Sequence, residues 1–132
     1  MILAIVGSRS LAGSETAVAL VGAVLDYFKP SEVVTGGADG IDVMAAAAAR
    51  KRGIKVTEFF PQQKRWAPFG YAARNMQIVN RCHQLVYIAD KKSETYGSGW
   101  TRDRAKGKKK QTWSFLIDGT KITGTLMEIF GD

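Results

Sequence analysis

The chain has 132 residues, 45% apolar and 23% charged, proportions of one soluble domain with its own core rather than a disordered segment. A single cysteine, Cys82, excludes an internal disulfide framework, and a single histidine, His83, leaves no His/Cys zinc set, so no metal is expected. The net charge is +7, with Lys and Arg exceeding Asp and Glu by 2 over residues 1–66 and by 5 over 67–132.

The excess is concentrated in Arg102, Arg104, Lys106, Lys108, Lys109 and Lys110. It suits either an anionic partner or a solvated basic helix end. The start has no basic region or cleavage site and reads as a strand, and no apolar run approaches the ~20 residues of a membrane span. A cytoplasmic protein with no membrane partner is expected.

In chain order, Ile2–Val6 is a continuous apolar run, as a strand buried on both faces requires. Ser14 is placed to cap a helix whose apolar face is Ala17, Leu20, Val21, Val24, Leu25 and Phe28. Glu32–Thr35 is a second strand. Asp42–Arg52, with five consecutive alanines, is a helix able to approach a sheet closely, stopped by Gly53. Ile54–Phe60 is a third strand and Tyr71–Arg81 a third helix, with Tyr71, Asn75, Ile78, Val79 and Cys82 on one face. Leu85–Ala89 is a fourth strand, Thr101–Lys109 a short helix, and Thr112–Ile117 a fifth strand. Asp118-Gly119 turns the chain into a last strand, Lys121–Ile129.

This alternation predicts one α/β domain over residues 1–132, a Rossmann-like parallel sheet with helices on both faces and a short antiparallel C-terminal strand. In such sheets ligands sit beyond the carboxyl ends of the strands, where the strand order reverses. Four segments fall at that edge. Gly7-Ser8-Arg9 follows the first strand, offering close backbone approach, amides and a fixed charge. Thr35-Gly36-Gly37-Ala38-Asp39-Gly40-Ile41-Asp42 follows the second, with amides converging at a helix start, where Asp42 is a candidate cap. Neither is a G-x-G-x-x-G dinucleotide fingerprint, and the second lacks the lysine of a P-loop. Trp66, Phe69 and Tyr71 precede Arg74-Asn75 after the third strand. Asp90 and then Gly97-Ser98-Gly99-Trp100-Thr101 follow the fourth, with Ser98 and Thr101 flanking a helix start. Together they read as an anion-binding cleft.

These segments, in this order, resemble the SLOG superfamily, which includes the DNA-processing protein A (DprA/Smf) and Lonely Guy (LOG) families. The nearest likeness is to its stand-alone YspA/YpsA-related branch, many of whose members are bacterial or phage-encoded. The resemblance spans residues 1 to about 117. It implies a Rossmann-like fold that binds nucleotides, nucleotide-derived ligands or, in the DNA-processing branch, single-stranded DNA. It also implies that Gly7, Ser8 and Arg9 line a first phosphate loop and that Gly36, Gly37, Gly40 and Asp42 form a second. Arg74 and Asn75 would then sit near the ligand, and Gly97, Ser98, Gly99 and Thr101 would close the pocket. Lonely Guy phosphoribohydrolases carry P-G-G-x-G-T-x-x-E, whereas this chain reads Tyr96-Gly97-Ser98-Gly99-Trp100-Thr101-Arg102-Asp103. The first glycine pair and the glutamate are missing, which puts that hydrolysis in doubt.

Three functions compete. The first is a sensor or sequestering module for a nucleotide or nucleotide-derived small molecule, which needs only the convergent loops. The second is a hydrolase of an N-glycosidic or phosphate bond, with Asp42 and Asp103 as leading candidate acids, Asp39 and Asp90 behind them, and Ser8 or Ser98 as hydroxyls. His83, entering the fourth strand, is expected to be structural. The third is a single-stranded nucleic-acid binder, with the basic run 102–110 tracking phosphates and Trp66, Phe69, Tyr71 and Trp100 stacking bases. Within the first function, Arg9 and Arg74, with Arg102, are expected to face the cleft, and Lys106–Lys110 to complement the last helix's dipole. The edge strand and final hairpin leave a homo-oligomer open.

Overall fold

A computed structural model describes residues 1–93 and 96–124. The strands are β1 (Ile2–Gly7), β2 (Glu32–Thr35), β3 (Lys55–Glu58), β4 (Gln84–Asp90), β5 (Gln111–Asp118) and β6 (Lys121–Gly124). The helices are α1 (Glu15–Phe28), α2 (Ile41–Lys51), α3 (Tyr71–Arg81) and α4 (Tyr96–Gly107). The sheet order is β3-β2-β1-β4-β5-β6, all parallel except the β5–β6 pair. The expected Rossmann-like α/β architecture and antiparallel last strand are both present. Strand order reverses between β1 and β4.

Two apolar layers hold the helices to the sheet. Leu3, Ile5, Val33, Val86, Ile88 and Phe115 point to the face covered by α1 and α2. Ala4, Val6, Val34, Leu85, Tyr87 and Ala89 point to the face covered by α3 and α4. This alternation along β1 and β4 explains the continuous apolar runs: both faces are dry. On α2, Ala45, Ala46 and Ala49 are fully buried, so the alanine run lets the helix axis approach β1 and β2. Ser14 caps α1 as expected, its Oγ accepting from Ala17 N at 3.1 Å, and Gly53 (φ +71) ends α2.

Several boundaries shift by one or two residues, and three elements need comment. β3 is shorter because its only partner, β2, offers four residues. α4 begins at Tyr96 rather than Thr101, so Gly97, Ser98 and Gly99 are helical despite their poor propensity. Packing supplies the reason: the Trp66 ring lies 5.1 Å from both the Tyr96 and Trp100 rings, anchoring the first turns. The last strand is described only over Lys121–Gly124, and its expected remainder to Ile129 lies outside the described residues. Among the described residues no helix is long and apolar enough to cross a membrane.

Candidate functional site

A cavity of about 260 Å³ opens at the carboxyl ends of β1 and β4, the reversal point of the sheet. That is close to the lower end of the roughly 300–1,000 Å³ typical of small-molecule sites. Eight of the residues expected in the cleft line it: Gly7, Arg9, Asp42, Arg74, Asn75, Gly97, Ser98 and Thr101.

Arg9 leaves β1 on a 3-10 turn (Arg9–Leu11) and is exposed, with no ion-pair partner among the described residues. Its guanidinium carbon lies 5.9 Å from the Tyr71 ring centroid, and that of Arg74 lies 5.6 Å from the same ring. Arg74 is 7% exposed and works mainly within the fold. Its Nη1 donates to the carbonyls of Gly36 and Phe59, and its Nε donates to Asn75 Oδ1 at 2.7 Å, tying the β2–α2 loop to α3. Asn75 Nδ2 reaches Gly97 O at 3.4 Å, and Thr101 Oγ1 donates to the same carbonyl at 2.8 Å, fixing the first turn of α4. Burial lowers the Arg74 pKa against the pull of Asp42. The first turn of α4 brings the positive end of its dipole to the cavity.

Asp42 is the one carboxylate lining the cavity among the described residues. It is not the helix cap; Gly40 occupies that position, with φ +83, and Asp42 sits inside the first turn of α2. Its Oδ2 accepts from Ala38 N at 3.3 Å, and no cation comes within ion-pair distance of it among the described residues. Burial pushes its carboxyl up to about 6, opposed by the Ala38 amide and the nearby Arg74 charge.

Five expected site residues do not line the cavity. Ser8 is fully buried; its N–H donates to Ile88 O, and its Oγ accepts from Asp90 N at 3.0 Å, joining the ends of β1 and β4. The loop glycines answer to packing. A Cβ on Gly36 would sit 2.8 Å from Arg74 Nη1 and Asp42 Oδ2, one on Gly37 would strike the Phe60 ring, and one on Gly40 the backbone of Ser8 and Arg9. Gly99 faces away, toward Arg102.

Of the candidate acids, Asp103 is outside the cavity, two-thirds exposed and paired with Arg102 at 3.0 Å. Arg102 does not line the cleft either; it packs over the Tyr87 ring at 4.5 Å. Asp90 accepts from Ser10 Oγ and Lys92 N, and Asp39 lines a shallower neighbouring depression. His83 has a structural position, its Nδ1 accepting from Ile2 N at 2.9 Å. Lys110 does not serve α4: its Nζ donates to the carbonyls of Val79, Asn80 and Cys82, closing the end of α3. Of the four aromatic candidates, Trp66 and Tyr71 line the cavity, Phe69 is exposed and does not line it, and Trp100 packs between Trp66 and Arg104. Tyr96, unremarked in the sequence, also lines it. Its signal was its place one residue before Gly97, concealed because α4 was expected to start later.

No protein-family model matches the sequence, and no curated protein does. Solved structures do match. DNA processing protein A from Streptococcus pneumoniae superposes with a TM-score of 0.70 at 22% identity, over 85% of this chain and 49% of that one. The chain shares its fold with DNA processing protein A. The protein TM1055 superposes with a TM-score of 0.65 at 16% identity, over 84% of this chain and 71% of that one. This chain therefore spans about half the length of the DNA processing protein A chain. At these identities the likeness is one of fold, and it agrees with the Rossmann-like architecture expected from the sequence.

Proposed function

We propose that the cleft between the ends of β1 and β4 binds a nucleotide or a nucleotide-derived small molecule, as a sensor or sequestering module. One observation carries this reading. Two guanidiniums, Arg9 and Arg74, flank one aromatic ring in a cavity that also receives the positive end of α4 and the rings of Trp66 and Tyr96. Cations and a helix N-terminus suit a phosphate, and aromatic faces suit a base. Arg74 is already committed to the loop, which leaves Arg9 as the cation with its hydrogen bonds to give.

A thermal-shift series with nucleoside monophosphates, cyclic nucleotides and ADP-ribose derivatives tests it. At least one should raise the melting temperature, and Arg9→Ala should abolish that rise while leaving the unliganded melting temperature within about 1 °C. A rise that survives Arg9→Ala, or no rise with any of these compounds, overturns the reading.

A second reading is single-stranded nucleic-acid binding, favoured by the exposed Tyr96 ring at the cleft, by the exposed Phe60 and Phe69 rings on the β3–α3 segment, and by the fold shared with a protein named for DNA processing. Tight, steeply salt-dependent binding of a labelled oligonucleotide without any mononucleotide shift would select it. A hydrolytic role would rest on Asp42, and turnover of nucleoside monophosphates lost in Asp42→Asn would establish it.

A further inference from the structure

We infer that Asp42 is the specificity-determining residue of this cleft, accepting a hydrogen bond from a ribose hydroxyl so that ribonucleotides are selected over their deoxy counterparts. The inference rests on the nucleotide reading above.

Three observations support it. Asp42 lines the cavity while 93% of its surface is buried, so its unused acceptor capacity faces the cleft rather than bulk water. A carboxylate has about four lone-pair sites, and the loop engages it through the Ala38 amide at 3.3 Å, with the Gly36 amide and the Thr35 hydroxyl as the other donors close to it. The Thr35 hydroxyl beside it spends its single proton on Ile5 O at 2.9 Å. Acceptor sites therefore remain for a ligand donor.

The position of the acid decides which donor. Asp42 Oδ2 and Arg74 Nη1 each lie 2.8 Å from the point a Gly36 Cβ would occupy, so the acceptor adjoins the cationic group. A phosphate held by Arg9 and the α4 N-terminus is repelled by the carboxylate and cannot be its partner. In a nucleoside 5′-phosphate the group bonded to the phosphate is the sugar, and the base lies one unit further off. Arg74 shares the Tyr71 ring with the phosphate-holding Arg9, so an acceptor beside Arg74 stands one group away from the phosphate and meets sugar hydroxyls before it meets a base edge.

The test is calorimetric binding of the four ribonucleoside 5′-monophosphates, each beside its 2′-deoxy and 3′-deoxy form, to the full chain and to Asp42→Asn. A hydrogen bond to a charged acceptor predicts roughly tenfold or greater preference for the ribo form over at least one deoxy form. In Asp42→Asn that ratio should fall several-fold. Equal affinities for ribo and deoxy forms in the unaltered protein, a result that needs no variant, overturn the inference and leave the nucleotide cleft standing. A ribo preference unchanged in Asp42→Asn also overturns it. Failure of every monophosphate to bind removes the nucleotide reading and the inference together.

Discussion

Replacing Asp42 by Asn should stabilise the protein at neutral pH and not at acid pH. The carboxyl ionises near 3.8 in an unfolded chain and near 6 in the fold, because burial disfavours its charge more than the Ala38 amide and Arg74 favour it. A folded-state pKa raised above the unfolded one gives stability that is complete below pH 3.8 and lost as pH rises through 6. The loss amounts to about 3 kcal/mol, constant above about pH 6. Asparagine keeps an oxygen to accept from Ala38 N and never ionises, so it escapes that loss. For a chain of this size the gain corresponds to roughly 10 °C in melting temperature. Thermal melts of both proteins from pH 3.5 to 8 provide the measurement. The difference between their melting temperatures should grow between pH 4 and 6 and then level off. Other titrating groups act on both proteins alike and cancel. A difference that stays flat across this range would refute the reasoning.

Glu32 titrates with the opposite sign. The Arg81 guanidinium, at 2.8 and 3.1 Å, and the Thr57 hydroxyl hold its carboxyl down to about 2 despite burial, so its contribution is present above pH 4.5 and lost as pH falls through 2. After allowing for solvent screening of the half-exposed Arg81, Glu32→Gln should cost about 2 kcal/mol in urea denaturation at pH 7 and progressively less below pH 4.5. Gly7→Ala would place a Cβ 2.0 Å from Ile88 O and 2.7 Å from the Ile41 side chain, where β1 meets β4 and α2. It should cost at least about 4 kcal/mol or prevent folding, seen as loss of the cooperative melt. Gly97→Ala meets nothing closer than 3.8 Å and should melt at the same temperature or higher, since alanine is the better helix former.

The fold was legible because burial on both sheet faces and one-sided helix faces leave unambiguous patterns. Ile2–Val6 could only be a doubly covered strand, and the α1 face from Ala17 to Phe28 left a single way to dock. The site was legible as a place, since chain order put Arg9, Asp42, Arg74 and Ser98 at one sheet edge. Roles within it were harder to read. Sequence shows that Gly36-Gly37 must let something approach, and does not show whether that is a ligand or, as found, the Arg74, Asp42 and Phe60 side chains. Ser8 likewise reads as a phosphate ligand until the register of β1 on β4 puts its hydroxyl under Asp90 N. The start of α4 was misplaced because glycine and serine argue against a helix locally, while Trp66, 34 residues before Trp100, supplies the packing that overrides them.

The same distinction between count and position applies to charge. Several of the basic residues that make the chain +7 have occupations inside the fold or at its surface: Arg81 and Lys55 on Glu32, Arg52 on Asp26, Arg50 on Glu58, and Lys110 on the carbonyls closing α3. Net charge alone therefore does not say where on the molecule a partner would bind. What remains informative is local. Among the described residues lining the cleft, Arg9 and Arg74 stand against Asp42 as the one carboxylate, and Arg74 is anchored by the Gly36 carbonyl. A phosphate bound as proposed would meet the field of the anchored Arg74 and of α4 together with the exposed guanidinium of Arg9. On the proposed reading that arrangement suits a compact anion at one point better than a polyanion along a surface, and it is Arg9 on which the proposed phosphate binding depends.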